Sequence, residues 1–388
     1  MDFRVSDELK MLKTTCARFF AARFPADAGR RAERGLGAGS GRDAGQGFDP
    51  ALWKGFCDLG VLQLTLPEAV GGAGLGQGAA AVVAEEIGRA LYQSPWADTV
   101  TAADIIVQAG PAGAGWALLE GIAAGACTIA MAVRERGQDD PAALSALGAT
   151  ATAAGDGFTI SGRKLFVPFG ETVDRFMVAA ATPHGPTMFL VPRDRAGIQV
   201  RRGDDTGRSE FCSVEFAATP AGAADVVGAP GGAAGPYTGA LARARVRHAA
   251  YLVGLCQGAL DVTIKYTKER EQFGRAIASF QAISFRLAAL AARIDAARHL
   301  AGRGAWLGDG NGDLRELRRI AAEALAMAGE LARDVTAESM QMHGSFGFSE
   351  EAEPQRYYRR AAVDALLLGT PVQLRDEAMA LLAARAPA

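Results

Sequence analysis

Surplus charge is the first thing this sequence lacks. Its 41 Lys and Arg face 43 Asp and Glu, a net of −2 over 388 residues. That balance gives no reason to expect nucleic acid or an anionic membrane surface as a partner. Cysteine is also scarce. The five present (Cys16, Cys57, Cys127, Cys212 and Cys256) are scattered, odd in number and without metal-ligand spacing. They are expected to be reduced core residues of a cytoplasmic protein with no metal site. Long apolar runs are missing too. The nearest, residues 116–133, is rich in Ala and Gly and carries Glu120, which suits a buried helix running into a strand better than a membrane span. The first residues, Met1-Asp2-Phe3-Arg4-Val5-Ser6-Asp7-Glu8, turn acidic at once, so no secretory signal is expected there.

What is present is a globular composition, 49% hydrophobic and 22% charged, in a chain long enough for two or three packed units. The first third reads as helical. Ser6 is placed to cap a helix whose first turn carries Asp7 and Glu8, with Leu9, Leu12, Cys16, Phe19 and Phe20 on one face. Residues 25–47, dense in Gly, Ala and Arg, read as a loop, and helices resume over 50–62 and 79–91. The Gly cluster at 71–76 lacks the spacing of a phosphate loop and reads as a turn.

The pattern changes near Cys127. Short runs of strand formers at 158–161, 175–178, 188–191 and 211–216 predict a small antiparallel barrel or sandwich. Beyond the Gly-Pro-rich linker at 228–232, periodic segments at 238–269, 278–306, 313–341 and 362–384 predict a four-helix bundle. The expected fold class is mostly α with a central β domain (α+β). Its boundaries are a helical domain over 1–125, a β domain over 126–232 and the bundle over 233–388.

Two segments carry the chemistry. Arg270-Glu271-Gln272-Phe273-Gly274 runs from a helix end into a tight turn before Phe280-Gln281. About seventy residues later come Gln341-Met342-His343-Gly344-Ser345-Phe346-Gly347-Phe348 and the run Arg356-Tyr357-Tyr358-Arg359-Arg360. Together they offer a fixed cation, apolar ring walls, side-chain amides and glycines that admit a flat ligand. In this order and spacing they resemble the acyl-CoA dehydrogenase family. So do Asp58-Leu59-Gly60-Val61, Leu66-Pro67-Glu68 and Glu85-Glu86-Ile87-Gly88-Arg89-Ala90, so the similarity spans nearly the whole chain.

The resemblance implies FAD as cofactor, an acyl thioester as substrate, an electron-transferring flavoprotein as electron acceptor, and a homo- or hetero-oligomer with the flavin at a subunit interface. It implies that Arg270 grips the pyrophosphate and that Phe273 and Gln281 pack the adenosine side. Gln341 and Gly344 would hold the pyrophosphate region, and Thr370 would make a further cofactor contact. Tyr357, Tyr358 and Arg360 stay divided between bundle packing and cofactor surroundings.

The departures are as informative. The family's usual catalytic carboxylate, directly before Gly-Thr, corresponds to Leu368, and its alternative site, before Arg245, is Ala244. Neither side chain can take a proton. The family's Thr-Glu-Pro is Arg134-Glu135-Arg136 here, and its Trp-Ile-Thr behind the isoalloxazine is Phe166-Val167-Pro168. Phe166 can still stack, but Pro168 has no N–H or hydroxyl. Residues that would serve a neighbour's flavin are largely kept, and those that would serve the chain's own are partly lost.

Three readings stay open. The first is a base-less subunit of a heteromeric dehydrogenase, of which some sterol-side-chain members have a segment like residues 350–360. The second is a self-sufficient dehydrogenase with its base relocated to Asp364 or Glu135. The third is a flavin-dependent monooxygenase in which His248 or His343 steers a proton. A non-catalytic structural subunit is the remaining alternative. Leu368 and Arg245 are expected near the substrate.

Overall fold

The computed structural model describes residues 6–37, 49–111, 113, 115–137, 144–311 and 313–384. Six helices come first: α1 (Asp7–Arg23), α2 (Ala26–Gly37), α3 (Pro50–Cys57), α4 (Gly76–Ala90), α5 (Trp96–Ala109) and the short α6 (Leu119–Ala123). The Ser6 side chain accepts the Leu9 N–H at 3.3 Å, so α1 starts where its capping sequence predicts. Residues 26–37 are helical rather than a loop, and 38–47 of that expected loop lie outside the described residues. Long-range ion pairs hold α2 in place: buried Glu33 binds the Arg356 and Arg359 guanidinium groups, each at 2.9 Å. Gly29 permits the approach, since a Cβ there would meet the Arg356 guanidinium at 2.3 Å.

The middle of the chain forms one sheet. Its strands are β1 (Ile129–Ala132), β2 (Thr150–Ala154), β3 (Gly157–Pro168), β4 (Arg175–Thr182), β5 (Gly185–Pro192), β6 (Ile198–Arg202), β7 (Phe211–Ala221) and β8 (Val226–Val227). The order is β6-β7-β3-β2-β4-β5-β8, with β1 running parallel beside β4. Alternation buries Phe176, Val178, Phe189, Val191, Val214 and Phe216 in one core. The helix running into a strand expected within 116–133 is α6 followed by β1, whereas the periodicity missed β2, β6 and β8, which are short and, in β2, mostly exposed.

The last third is helical: α7 (Ala234–Glu269), a two-strand hairpin of β9 (Glu271–Gln272) and β10 (Arg275–Ala276), α8 (Gln281–Trp306), α9 (Leu314–His343), α10 (Pro354–Asp364) and α11 (Pro371–Ala383). The expected final helix over 362–384 is thus two helices. Leu368 at φ 61° and Gly369 at φ 132° make a sharp turn between them, and Thr370 caps α11 in a reciprocal bond with Gln373.

The α1, α3 and α4 faces and the bundle share one core, in which Phe20, Phe56 and Tyr92 meet Val253, Leu255 and Leu325. Where α4 crosses α7 the backbones touch. A Cβ on Gly88 would lie 1.9 Å from the Tyr251 carbonyl, and one on Gly254 would lie 1.8 Å from the Glu85 carbonyl.

Two expectations follow from this packing. Gly254→Ala must push α4 from α7 and should lower unfolding stability by about 1–3 kcal/mol or more. Gly302→Ala on α8, where no atom lies within 4 Å of the new Cβ, should be neutral or slightly stabilising. Equal effects in thermal melts would contradict the close-crossing account. In the β domain, Glu135 binds Lys164, whose side chain is 0% exposed, and accepts the Gly148 and Ala149 N–H groups. Burial pushes the Glu135 carboxyl up, but Lys164 and the two amides outweigh it and hold it below its ordinary value. Stability from this group is therefore present above the ordinary Glu range and lost as pH falls through the lower folded value. Glu135→Gln should cost about 3–5 kcal/mol at neutral pH by stranding the Lys164 charge, with a flatter acid limb in a pH series of melts.

Candidate active-site cavity

A cavity of about 210 Å³ opens between α5, α7, the ends of β1 and β3, and the turn before α11. Its wall is mainly apolar: Trp96, Met131, Phe166, Leu241, Leu367 and Leu368 contribute. Both positions where the family resemblance puts a catalytic carboxylate face it, as Leu368 and Ala244. Leu366 is outside the lining and 42% exposed. The turn is held open by Arg245, which is not among the lining residues. Its Nε–H donates to the Leu368 carbonyl at 3.0 Å, and its other end pairs with Glu377. Arg245 is a positioning residue for the turn.

Asp364, at the end of α10, does reach the cavity, but its groups are engaged. Its carboxylate accepts the Tyr251 O–H at 2.6 Å and lies 3.3 Å from Arg360 Nε. Its carbonyl accepts from His248 Nε2 at 2.7 Å, so that nitrogen carries the proton. Burial keeps His248 below its ordinary value and pushes the Tyr251 phenol above its own. For Arg360 burial acts downward, but Asp364 and Tyr251 outweigh it and raise the guanidinium. Glu135, the other carboxylate candidate, does not line the cavity and is bound to Lys164.

Three cavity groups escaped sequence reading. Asp98, in the first turn of α5, accepts the Met131 N–H at 2.7 Å, and burial pushes its carboxyl up to about 7. Tyr251 follows His248 by one turn on α7, a spacing that could have flagged it. Arg247 donates to Asp104 and Gln77, each at 2.7 Å, and to Thr101 at 3.0 Å. Phe166 does face the cavity. A register shift between Lys164 and Val167 turns it out at φ 53°, leaving it 55% exposed. The Leu165 N–H donates to the Arg134 carbonyl at 2.9 Å, and the Arg134 guanidinium lies 5.3 Å from the Phe166 ring centre.

The two signature segments do come together, at another place. Tyr266, one turn before the end of α7, stacks on His343 at 4.2 Å and on Phe346 at 6.2 Å. This brings the last turn of α7, which leads into Arg270, against the end of α9 that carries Gln341 and leads into Gly344. Arg270, Gln281, Gln341 and Gly344 are exposed, and Phe273 is 94% exposed at the hairpin tip. Among the described residues no carboxylate pairs with Arg270. His343 is buried, bonded through Nδ1 to the Ser339 carbonyl at 2.7 Å, and lowered by that burial. The Thr370 hydroxyl is engaged with Gln373 as a helix cap, and Tyr357 is a buried packing residue bonded to the Arg89 carbonyl.

Comparison with known proteins agrees along the chain. The acyl-CoA dehydrogenase N-terminal, middle and C-terminal domain families match residues 6–126, 130–218 and 237–382. A probable acyl-CoA dehydrogenase, YngJ of Bacillus subtilis, is 30% identical over 343 residues, covering 83% of this chain and 87% of its own. A solved Tcur3481-Tcur3483 steroid ACAD variant superposes with a TM-score of 0.85 at 30% identity, covering 97% of this chain and 98% of that one. Butyryl-CoA dehydrogenase of Megasphaera elsdenii gives a TM-score of 0.86 at 26% identity, covering 98% and 100%. Among the described residues no helix is long and apolar enough to cross a membrane. With sequence families, a curated relative and solved folds all in agreement, the chain belongs to the acyl-CoA dehydrogenase family.

Proposed function

We propose that this chain is the base-less subunit of a heteromeric, FAD-dependent acyl-CoA dehydrogenase acting on an acyl thioester of CoA or a carrier protein. The observation that supports this reading is the hydrocarbon at both base positions of the cavity, Leu368 and Ala244. A positioned general base contributes roughly 10²–10⁴ in rate. The carboxylate that does reach the same wall, Asp364, is held by Tyr251 and Arg360. A second polypeptide of the same fold would then carry the missing base, and the steroid ACAD relative carries two polypeptide names.

The two regions of this chain suit FAD differently. When bound, FAD supplies the hydride acceptor. At the α7 and α9 ends, Arg270 offers an exposed guanidinium and Gln341 an amide. Gly344, at φ 62° with no atom within 4 Å of a built Cβ, lets backbone approach closely. That donor set suits the pyrophosphate of a dinucleotide held mostly by a neighbouring chain, with Phe273 and Gln281 on its adenosine side. Thr370, tied as a cap, has less to offer. The cavity side does not suit the isoalloxazine. Arg134 already covers a face of Phe166, and Pro168 offers no N–H. Electrons would leave the assembly to an electron-transferring flavoprotein.

A second reading rests on Asp98. A carboxyl near 7 with a single backbone bond is better poised for proton abstraction than Asp364 or Glu135, and it would serve a self-sufficient enzyme.

Flavin stoichiometry separates the two readings. Purified alone, the chain should be nearly colourless and inert to acyl-CoA. Co-purified with its partner, it should give one flavin per pair of chains, lost on Arg270→Ala. A yellow protein that acyl-CoA bleaches without any partner would sink the heteromer reading, and if Asp98→Asn then stops the bleaching the second reading stands.

A further inference from the structure

The cavity wall carries several charged groups, and among the described residues all but one of its cations are compensated. Arg247 is matched by Asp104, and Arg360 by Asp364. Arg134 is the exception. Among the described residues no carboxylate lies within 4.0 Å of its guanidinium, and it makes no side-chain hydrogen bond there. Its contact is the Phe166 ring, 5.3 Å away. A ring face attracts a cation weakly but adds no negative charge, so the contact aims the guanidinium without neutralising it. Tyr237 is the titratable neighbour, and burial holds Arg134 below the ordinary arginine range. Arg134 is half-buried, and a partly desolvated cation that no described carboxylate neutralises is a place where a ligand can supply the charge.

The surroundings define that ligand. Trp96, Met131, Leu241, Leu367 and Leu368 give an apolar wall, and Phe166 is open beneath the guanidinium. A planar fork of N–H donors beside an apolar cavity matches a carboxylate on a hydrocarbon or aryl body. We propose that this cavity is a binding site for an apolar carboxylate, with Arg134, steadied on Phe166, as its counter-ion. A flavin ring stacked on Phe166 would have to displace that guanidinium. The site goes beyond the heteromer reading, because it concerns a ligand of this chain's own cavity whether or not a partner holds flavin.

The test compares phenylbutyrate with phenylbutyramide, two probes of nearly equal shape that differ in charge. Binding to the purified full chain is measured by calorimetry, with fluorescence of the cavity residue Trp96 as a second readout. The carboxylate should bind roughly 10- to 100-fold more tightly than the amide, the range for a hydrogen bond to a charged group. Arg134→Met should abolish that preference while leaving the amide's affinity unchanged, and Arg134→Lys should keep part of it. Equal binding of the two probes, binding of neither, or an undiminished preference in Arg134→Met would each overturn the site. Stoichiometric FAD that expels the carboxylate would overturn it as well. Flavin content and turnover with a partner, on which the proposed function rests, are separate measurements and can fail independently.

Discussion

The guanidinium of Arg247 decides where this cavity can be. It is 2% exposed, sits on α7, and donates to Gln77 of α4 and to Thr101 and Asp104 of α5. A buried cation with this many partners cannot slide, because any shift strands a charge away from water. Gly88 and Gly254 supply the steric half of the same constraint, letting α4 and α7 approach until backbone meets backbone. The helical domain and the bundle are thereby fixed against each other. The walls from α5 and α7 keep their spacing, and the end of β1 is tied to α5 through the Asp98 bond to Met131.

Within that frame the turn before α11 presents a hydrocarbon where the family resemblance would put an acid. Leu368 sits at φ 61°, a region that costs a non-glycine residue about 1–3 kcal/mol. The strain is held by Arg245 on the Leu368 carbonyl and by the Thr370 cap beyond it. Nothing about leucine favours this conformation. The turn aims a side chain at the cavity, and here the side chain aimed is hydrocarbon.

Much of the architecture was legible because it is written in local patterns. The Ser6 cap, the α7 to α9 periodicities and the β-domain alternation each involve residues within a turn or a strand of one another. The joining of the Arg270 and Gln341 segments was legible only through their resemblance to a family. The physical link, Tyr266 stacked on His343, is a contact across 77 residues. What escaped depended on distant partners. Residues 26–37 look like a loop until Glu33 finds Arg356 and Arg359 more than 320 residues away. Glu135 looks like a free acid until Lys164 reaches it. Asp98 looks like an ordinary first-turn carboxylate until the β domain closes over it.

The surface opposes the cavity in character, and the contrast bears on assembly. Phe273 at 94%, Phe348 at 74%, Phe285 at 67% and Phe346 at 50% exposure all belong to the hairpin, α8 or the segment after α9. Large rings left in water along segments that also present a guanidinium with no carboxylate partner among the described residues are characteristic of surfaces that a partner covers. Phe273 reaches its position only by adopting φ 53°, a strained value for an aromatic residue. Among the described residues its ring contact is an edge-on one with Phe280 at 6.2 Å, which leaves most of the ring in solvent. A second chain that buried the ring would offset this conformation, so the hairpin tip is where the proposed shared site would close.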